Sequence, residues 1–181
     1  FRAAQSFELA GDTDRAIRAL ERFVERYSDD GKFPQAVYLL ARQYRSLGLY
    51  GRSLKLFDRT RASMTHESGT VHYIPLALYE EGLCQALSRT EGSGERAIAT
   101  FRRILELPDI FPESKTWRDA LFALASLECE AALSLSPLQP EAVGAARERL
   151  SEWLERYPQD PRAGQVHWML GSLAWGEQAF R

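Results

Sequence analysis

The sequence predicts an all-α protein of about nine helices that pair as antiparallel hairpins, and three observations support this class. Apolar residues recur with the helical period along most of the 181 residues. No stretch shows the sustained alternation of a half-buried strand. The phrase RFVERYSDD (residues 22–30) returns as SEWLERYPQDP (residues 151–161), and a repeated phrase usually marks a repeated structural unit.

The first four helices are marked by their start and stop residues. Gly11 ends a first helix, and Asp12 caps a second helix with an apolar stripe over residues 16–27. Pro34 opens a third helix at a position where the missing N–H of proline has no cost. Gly48 ends that helix, and a fourth follows it. These four helices make two hairpins.

The remaining helices follow a longer polar connection over residues 64–73. Helices are predicted over residues 74–87, 96–107, 117–135 and 142–157, with turn sequences between them. Pro161 opens a ninth helix that has no partner. The sequence therefore predicts four and a half hairpins in a single domain spanning residues 1–181.

Composition limits the partners and the context of the chain. The net charge is −2, so no global positive field exists to hold nucleic acid or an acidic membrane surface. Apolar residues make up 45% of the chain, but charges interrupt them well before the ~20 residues that span a bilayer. Phe1 is not preceded by Met or by a leader, which predicts a mature product or a piece of a longer chain.

The residue types that most often carry catalysis lack a supporting arrangement. His66 and His72 do not have the i, i+4 spacing of a helical zinc motif, so a solvated loop is predicted for them, and His167 is expected to pack between helices. Cys84 and Cys129 lie in apolar helical patterns, where a cysteine behaves as a small buried hydrophobe.

Two further candidates for chemistry have simpler interpretations. The segment GSGER (residues 92–96) follows no strand and lacks the lysine of a nucleotide loop, so it is predicted to be a turn with Ser93 or Gly94 near the helix start. The carboxylates of Glu80, Glu81, Glu128 and Glu130 are expected on solvated helix faces. The sequence therefore predicts no catalytic residue, no cofactor and no metal site.

Small residues at fixed places give the chain a resemblance to a known family. Leu40, Ala41, Tyr44 and Gly48 match the first-helix pattern of the tetratricopeptide repeat, a helical hairpin of about 34 residues. The second-helix pattern, a small residue followed four positions later by a large one, is matched by Ala16, Ser53, Ala97 and Ala146. The chain thus resembles a divergent tetratricopeptide repeat array. Its RY(P/S)xD endings are also similar to those of bacterial cell-envelope repeat proteins.

The resemblance implies a right-handed superhelix whose first helices line a concave groove. By position, the groove residues would be Gln35, Tyr38, Arg42 and Arg45, then Tyr79 and Leu83, then Trp168 and Trp175. Aromatic residues and arginines often anchor protein interfaces, so the implied function is a non-catalytic scaffold for a protein or peptide partner. The alternatives are structural. The tyrosines pack sideways between helices, the arginines only face water, and Trp168 and Trp175 lie on the face that a continuation of the array would cover.

A second function remains open from the sequence alone. The chain ends, around Phe1 and over residues 175–180, are apolar and would dock onto another domain or onto a second copy, forming a homodimer. The two functions make different demands on Arg42 and Arg45. If these arginines line a solvent-facing groove, reversing their charge is expected to leave the fold intact.

Overall fold

The computed structural model describes residues 1–60, 73–108 and 110–179, which contain nine helices and no strand. The helices are α1 (Arg2–Leu9), α2 (Thr13–Arg26), α3 (Phe33–Ser46), α4 (Tyr50–Thr60), α5 (Tyr73–Ser88), α6 (Ser93–Leu105), α7 (Lys115–Ser134), α8 (Pro140–Arg156) and α9 (Ala163–Ala179). The predicted all-α class is confirmed, and most of the predicted connection over residues 64–73 lies outside the described residues.

The chain divides into two compact units, Phe1–Thr100 and Phe101–Arg181. In the first unit α1 packs on α2, α2 on α3, α3 on α4 and α5, and α4 on α5. In the second unit α7 packs on α8 and α9, and α8 packs on α9. Helices such as α3 and α8 thus contact both their hairpin partner and a helix of a neighbouring hairpin, as in stacked repeats. The assignment of residues 1–181 to one domain stays a prediction.

The start and stop residues act as the sequence predicts. Gly11 and Gly48 follow α1 and α3 with φ of 73° and 71°, a left-handed conformation that glycine adopts without a steric cost. The side chain of Asp12 accepts a hydrogen bond from the backbone N–H of Arg15 at 3.1 Å and so caps α2. Several boundaries differ. α6 begins at Ser93 rather than near residue 96, because the turn is complete at Gly92, where φ is 66°. α7 and α8 each begin two residues earlier than predicted, and α9 begins at Ala163 rather than at Pro161, which lies in the preceding turn.

The first copy of the repeated phrase ends α2 and starts α3. Tyr27 leaves the helix with φ −132° and ψ 53°, and its N–H donates to the carbonyl oxygen of Phe23 at 3.0 Å. The N–H of Asp30 donates to the carbonyl of Tyr27 at 3.2 Å, and the Asp30 carboxylate accepts from the N–H of Lys32 at 2.8 Å. The N–H of Phe33 then donates to the carbonyl of Asp30.

The second copy builds the same turn between α8 and α9. Tyr157 has the same φ and ψ, and its N–H donates to the carbonyl of Trp153 at 2.9 Å. The Asp160 carboxylate accepts from the N–H of Arg162 at 3.0 Å, and the N–H of Ala163 donates to the Asp160 carbonyl at 2.9 Å. The repeated phrase is therefore the sequence of a helix stop followed by a helix start.

The turn at Asp160 also carries an ionic network that the turn at Asp30 lacks. Arg162 donates to both carboxylate oxygens of Asp160 at 2.9 Å and pairs with Asp119 at 2.9 Å. Arg118 lies 3.4 Å from Asp160. The hydrogen bonds from Arg162 hold the pKa of Asp160 well below its usual range.

The small residues assigned to helix crossings are buried, as predicted. Ala16, Ser53, Ala97 and Ala146 are almost or completely inaccessible to solvent. The large residues four positions later are buried as well: Leu20, Phe57, Phe101 and Leu150. A small side chain leaves room for the neighbouring helix to approach, so each crossing depends on the volume at that position.

Replacing Ala97 with Leu is expected to lower the free energy of unfolding by about 1–3 kcal/mol, because added methylene groups overfill a packed crossing. Ala97 is 0% exposed. Urea unfolding measures the change, and Ala99→Leu is the matched control because Ala99 is exposed on the same helix. The free energy of unfolding of this control is expected to stay within about 0.5 kcal/mol of the wild-type value. Equal effects of the two substitutions would contradict the assigned crossing.

Candidate functional site: two surfaces of the repeat units

The predicted groove residues of the first unit lie on α3 and α5, which pack against each other. The α3/α5 face comprises Gln35, Tyr38, Arg42, Arg45, Tyr79 and Leu83, and all six are half-buried. The structure thus brings these six residues onto neighbouring first helices. Trp168 and Trp175 lie on α9 in the second unit.

Arg42 connects α3 to α1. Its guanidinium donates a hydrogen bond to the carboxylate of Glu8, and Gln43 donates to the same oxygen at 3.2 Å. The guanidinium also lies 5.6 Å from the ring centre of Tyr38, within the range of a cation–π contact. The centre of that ring also lies 6.0 Å from the ring centre of Tyr73. The sideways packing considered for the tyrosines therefore applies in part to Tyr38.

Arg45 connects α3 to α5 through a two-pronged ion pair with Glu80. The Arg45 Nε atom lies 2.5 Å from Glu80 Oε2, and the second contact is 3.3 Å. The Glu80 side chain is only 5% exposed, and its hydrogen bond raises the pKa of Arg45. The expectation that Glu80 is solvated was wrong. The same pair overturns the expectation that the charge of Arg45 can be reversed without loss of stability.

A second buried polar chain lies beside this pair. Gln85 donates to Glu81 at 3.2 Å, and Thr100 donates to the side-chain oxygen of Gln85 at 2.8 Å. Glu81, like Glu80, was expected on a solvated face and is instead buried. The missed signal is the sequence of α5, YIPLALYEEGLCQALS, which is apolar on all sides. Such a helix is largely buried, so its polar residues also lie in the interior.

Glu128 is the corresponding buried carboxylate of the second unit. It was expected to be solvated, yet it is 8% exposed and accepts a hydrogen bond from Arg102 at 2.6 Å. Arg149 lies 3.6 Å from its other oxygen. Burial of a carboxylate requires such partners, because an unpaired charge in the interior is costly. Glu130 is exposed, as predicted.

The α9 face is the second surface, and it comprises Trp168, Gly171, Ser172 and Trp175. The two indoles are 71% and 74% exposed. They border a groove of about 520 Å³ that is completed by Leu133, Leu138 and Gly176. Large aromatic side chains with this much exposure are uncommon in a folded domain. The α9 face is therefore a candidate for contact with another chain.

The expectation that the chain end at Phe1 is an exposed apolar surface was wrong. The Phe1 ring is partly buried against the core and lies 5.4 Å from the ring of Phe23. The ammonium group of Lys32 lies 5.3 Å from the ring centre. Phe180, at the other end, is outside the described residues. Of the two predicted apolar ends, the α9 surface is the one that is exposed in the described part of the chain.

The histidines and cysteines, the candidates for catalysis or metal binding, do not form a site in the described part of the chain. His167 is exposed rather than packed between helices, and His66 and His72 lie outside the described residues. Cys84 and Cys129 are buried free thiols whose pKa values burial raises. Within the described ranges, no three His, Cys, Asp or Glu side chains cluster to form a metal site. In the same ranges, no helix has the length and apolar character needed to span a bilayer.

A comparison with known protein families matches the start of the chain. Residues 1–30 match the model of a tetratricopeptide repeat family. These residues cover α1, α2 and the turn that begins with Tyr27, so the match includes the first copy of the repeated phrase. No curated protein matches the chain.

Proposed function

We propose that the chain is a non-catalytic scaffold of divergent tetratricopeptide-like repeats that binds a protein or peptide partner. Repeats of this type present the surface of successive helices as an extended binding face. The observation that carries the proposal is the α3/α5 face, where two tyrosines, two arginines, a glutamine and a leucine remain partly accessible on adjacent first helices.

The ion pairs of this face favour a partner of low net charge. Arg42 and Arg45 already contact carboxylates of the same unit, so the face has little net field to attract a charged segment. Recognition then depends on ring contacts with Tyr38 and Tyr79 and on the remaining N–H donors of Arg42, whose side chain is 39% exposed. We therefore propose an extended peptide with apolar side chains, bound with weak salt dependence.

Peptide selection tests the proposal. Peptides are selected from a displayed random library on the wild-type chain, and their affinities are measured by fluorescence anisotropy for wild type and variants. Arg42→Gln is expected to weaken binding about tenfold, as for other interface arginines. Glutamine still offers an N–H donor to Glu8, so the fold is expected to keep its stability within about 1 kcal/mol.

The matched control is Arg18→Gln, which makes the same change at an exposed position of α2. This control is expected to bind the selected peptides as wild type does. Failure to select any peptide would contradict the scaffold proposal. Selected peptides that bind Arg42→Gln as tightly as wild type would instead move the binding surface away from α3 and α5.

A further inference from the structure

The exposed side of α9 carries almost no charge. Charged residues make up 27% of the whole chain, but the 17 residues of α9 contain one, Glu177, and its carboxylate is paired with Arg147 of α8. The two most exposed tryptophans of the described residues therefore stand on a face that neither attracts nor repels a charged partner.

The residues of this face follow a nearly symmetrical pattern. The segment WMLGSLAW, residues 168–175, places Gly171 and Ser172 midway between Trp168 and Trp175. At about 100° per residue, these four positions fall within one stripe of the helix. A Cβ added to Gly171 would meet no atom within 4 Å. The stripe thus has two small residues, Gly171 and Ser172, between two tryptophans. The order of large and small side chains is the same in either direction along the helix.

We propose that the α9 face is the contact surface between two copies of this chain. In the proposed dimer the two α9 helices are antiparallel, with the two-fold axis passing between Gly171 and Ser172. Trp168 of each copy then packs beside Trp175 of the other, and the small residues allow the helices to approach closely. A two-fold interface places one patch against itself, so a symmetrical face without charge suits this arrangement.

The available area predicts weak association. Each exposed indole contributes on the order of 100–200 Å², and a dimer would cover four of them. Leu133, Leu138 and the backbone at Gly171 add to this area. The total accessible surface buried in the dimer then approaches about 1,000 Å², the lower limit for specific interfaces. Dimers are therefore expected at high micromolar concentration, and monomers at low concentration.

Sedimentation equilibrium over a concentration series tests this proposal with paired variants. Wild type is expected to rise from its monomer mass of 20.6 kDa towards twice that value. Gly171→Glu and Gly171→Lys are each expected to stay monomeric, because like charges meet across the two-fold axis. An equal mixture of the two variants is expected to dimerise again, because opposite charges then face each other. The matched control, Gly144→Glu, changes an open glycine on α8 and is expected to associate as wild type does.

Each other outcome overturns part or all of the proposal. A wild type that remains monomeric at every concentration would exclude a second copy as the occupant of the α9 face. Dimers of Gly171→Glu alone would place the interface elsewhere. If the mixture of charged variants stays monomeric while wild type dimerises, the antiparallel pairing at Gly171 is wrong. Circular dichroism melting of each variant checks that the monomers are folded.

Discussion

Replacing Arg45 with Met is expected to lower the free energy of unfolding by about 3 kcal/mol, because it leaves the carboxylate of Glu80 buried without its partner. Glu80 is 5% exposed, and both of its oxygens contact Arg45. Methionine keeps most of the length of the arginine side chain, so the loss reports the missing charge and hydrogen bonds more than lost packing. Urea unfolding at neutral pH measures the change.

The double variant Arg45→Met, Glu80→Met separates the ion pair from the packing. Replacing both partners of a buried pair with apolar groups is often close to neutral, so the double variant is expected to recover stability to within about 1 kcal/mol of wild type. Arg18→Met on the exposed side of α2 is the control for arginine loss in general. If Arg45→Met lowers the free energy of unfolding no more than Arg18→Met does, the burial of Glu80 does not require Arg45. The arginine is then available to contact a partner at the binding face.

Replacing Asp160 with Asn is expected to lower stability by about 2 kcal/mol at pH 7, because Arg162 and Arg118 lose a charged acceptor. Asparagine keeps an oxygen that can accept from the N–H of Arg162, so the turn itself is retained. Asp30→Asn is the matched control, since Asp30 has the same backbone role in the first copy of the phrase but is exposed. The control is expected to change stability by no more than about 0.5 kcal/mol.

The contribution of Asp160 also depends on pH with a definite sign. Its pKa in the folded chain lies below the value of about 3.9 expected when unfolded, so its contribution is complete above about pH 4–5 and decreases as the pH falls further. The difference between wild type and Asp160→Asn is therefore expected to shrink during acidification. This difference in the free energy of unfolding is measured by unfolding curves between pH 7 and the lowest pH at which the chain still folds. A difference that stays constant over this range would contradict the ionic role of Asp160.

The sequence by itself determined the helices, their turns and the small residues at the crossings. These features depend on nearby residues: a cap bonds three positions away, and a helical stripe repeats within one or two turns. Asp12, Gly48 and Ala97 therefore have the environments that their local pattern predicts. Both copies of the repeated phrase also form the same turn, because backbone hydrogen bonds within the phrase and one aspartate side chain close it.

The tertiary structure alone decided which side of each helix is covered and which charges are paired. Arg45 and Glu80 are 35 positions apart, and Arg42 and Glu8 are 34 apart, so no local pattern connects them. Whether an arginine on the groove side faces water or a carboxylate is decided by the neighbouring helix that reaches it. The same reason holds for Trp168 and Trp175: their spacing places them on one side of α9, but only the packing of α7 and α8 against the other side leaves them exposed.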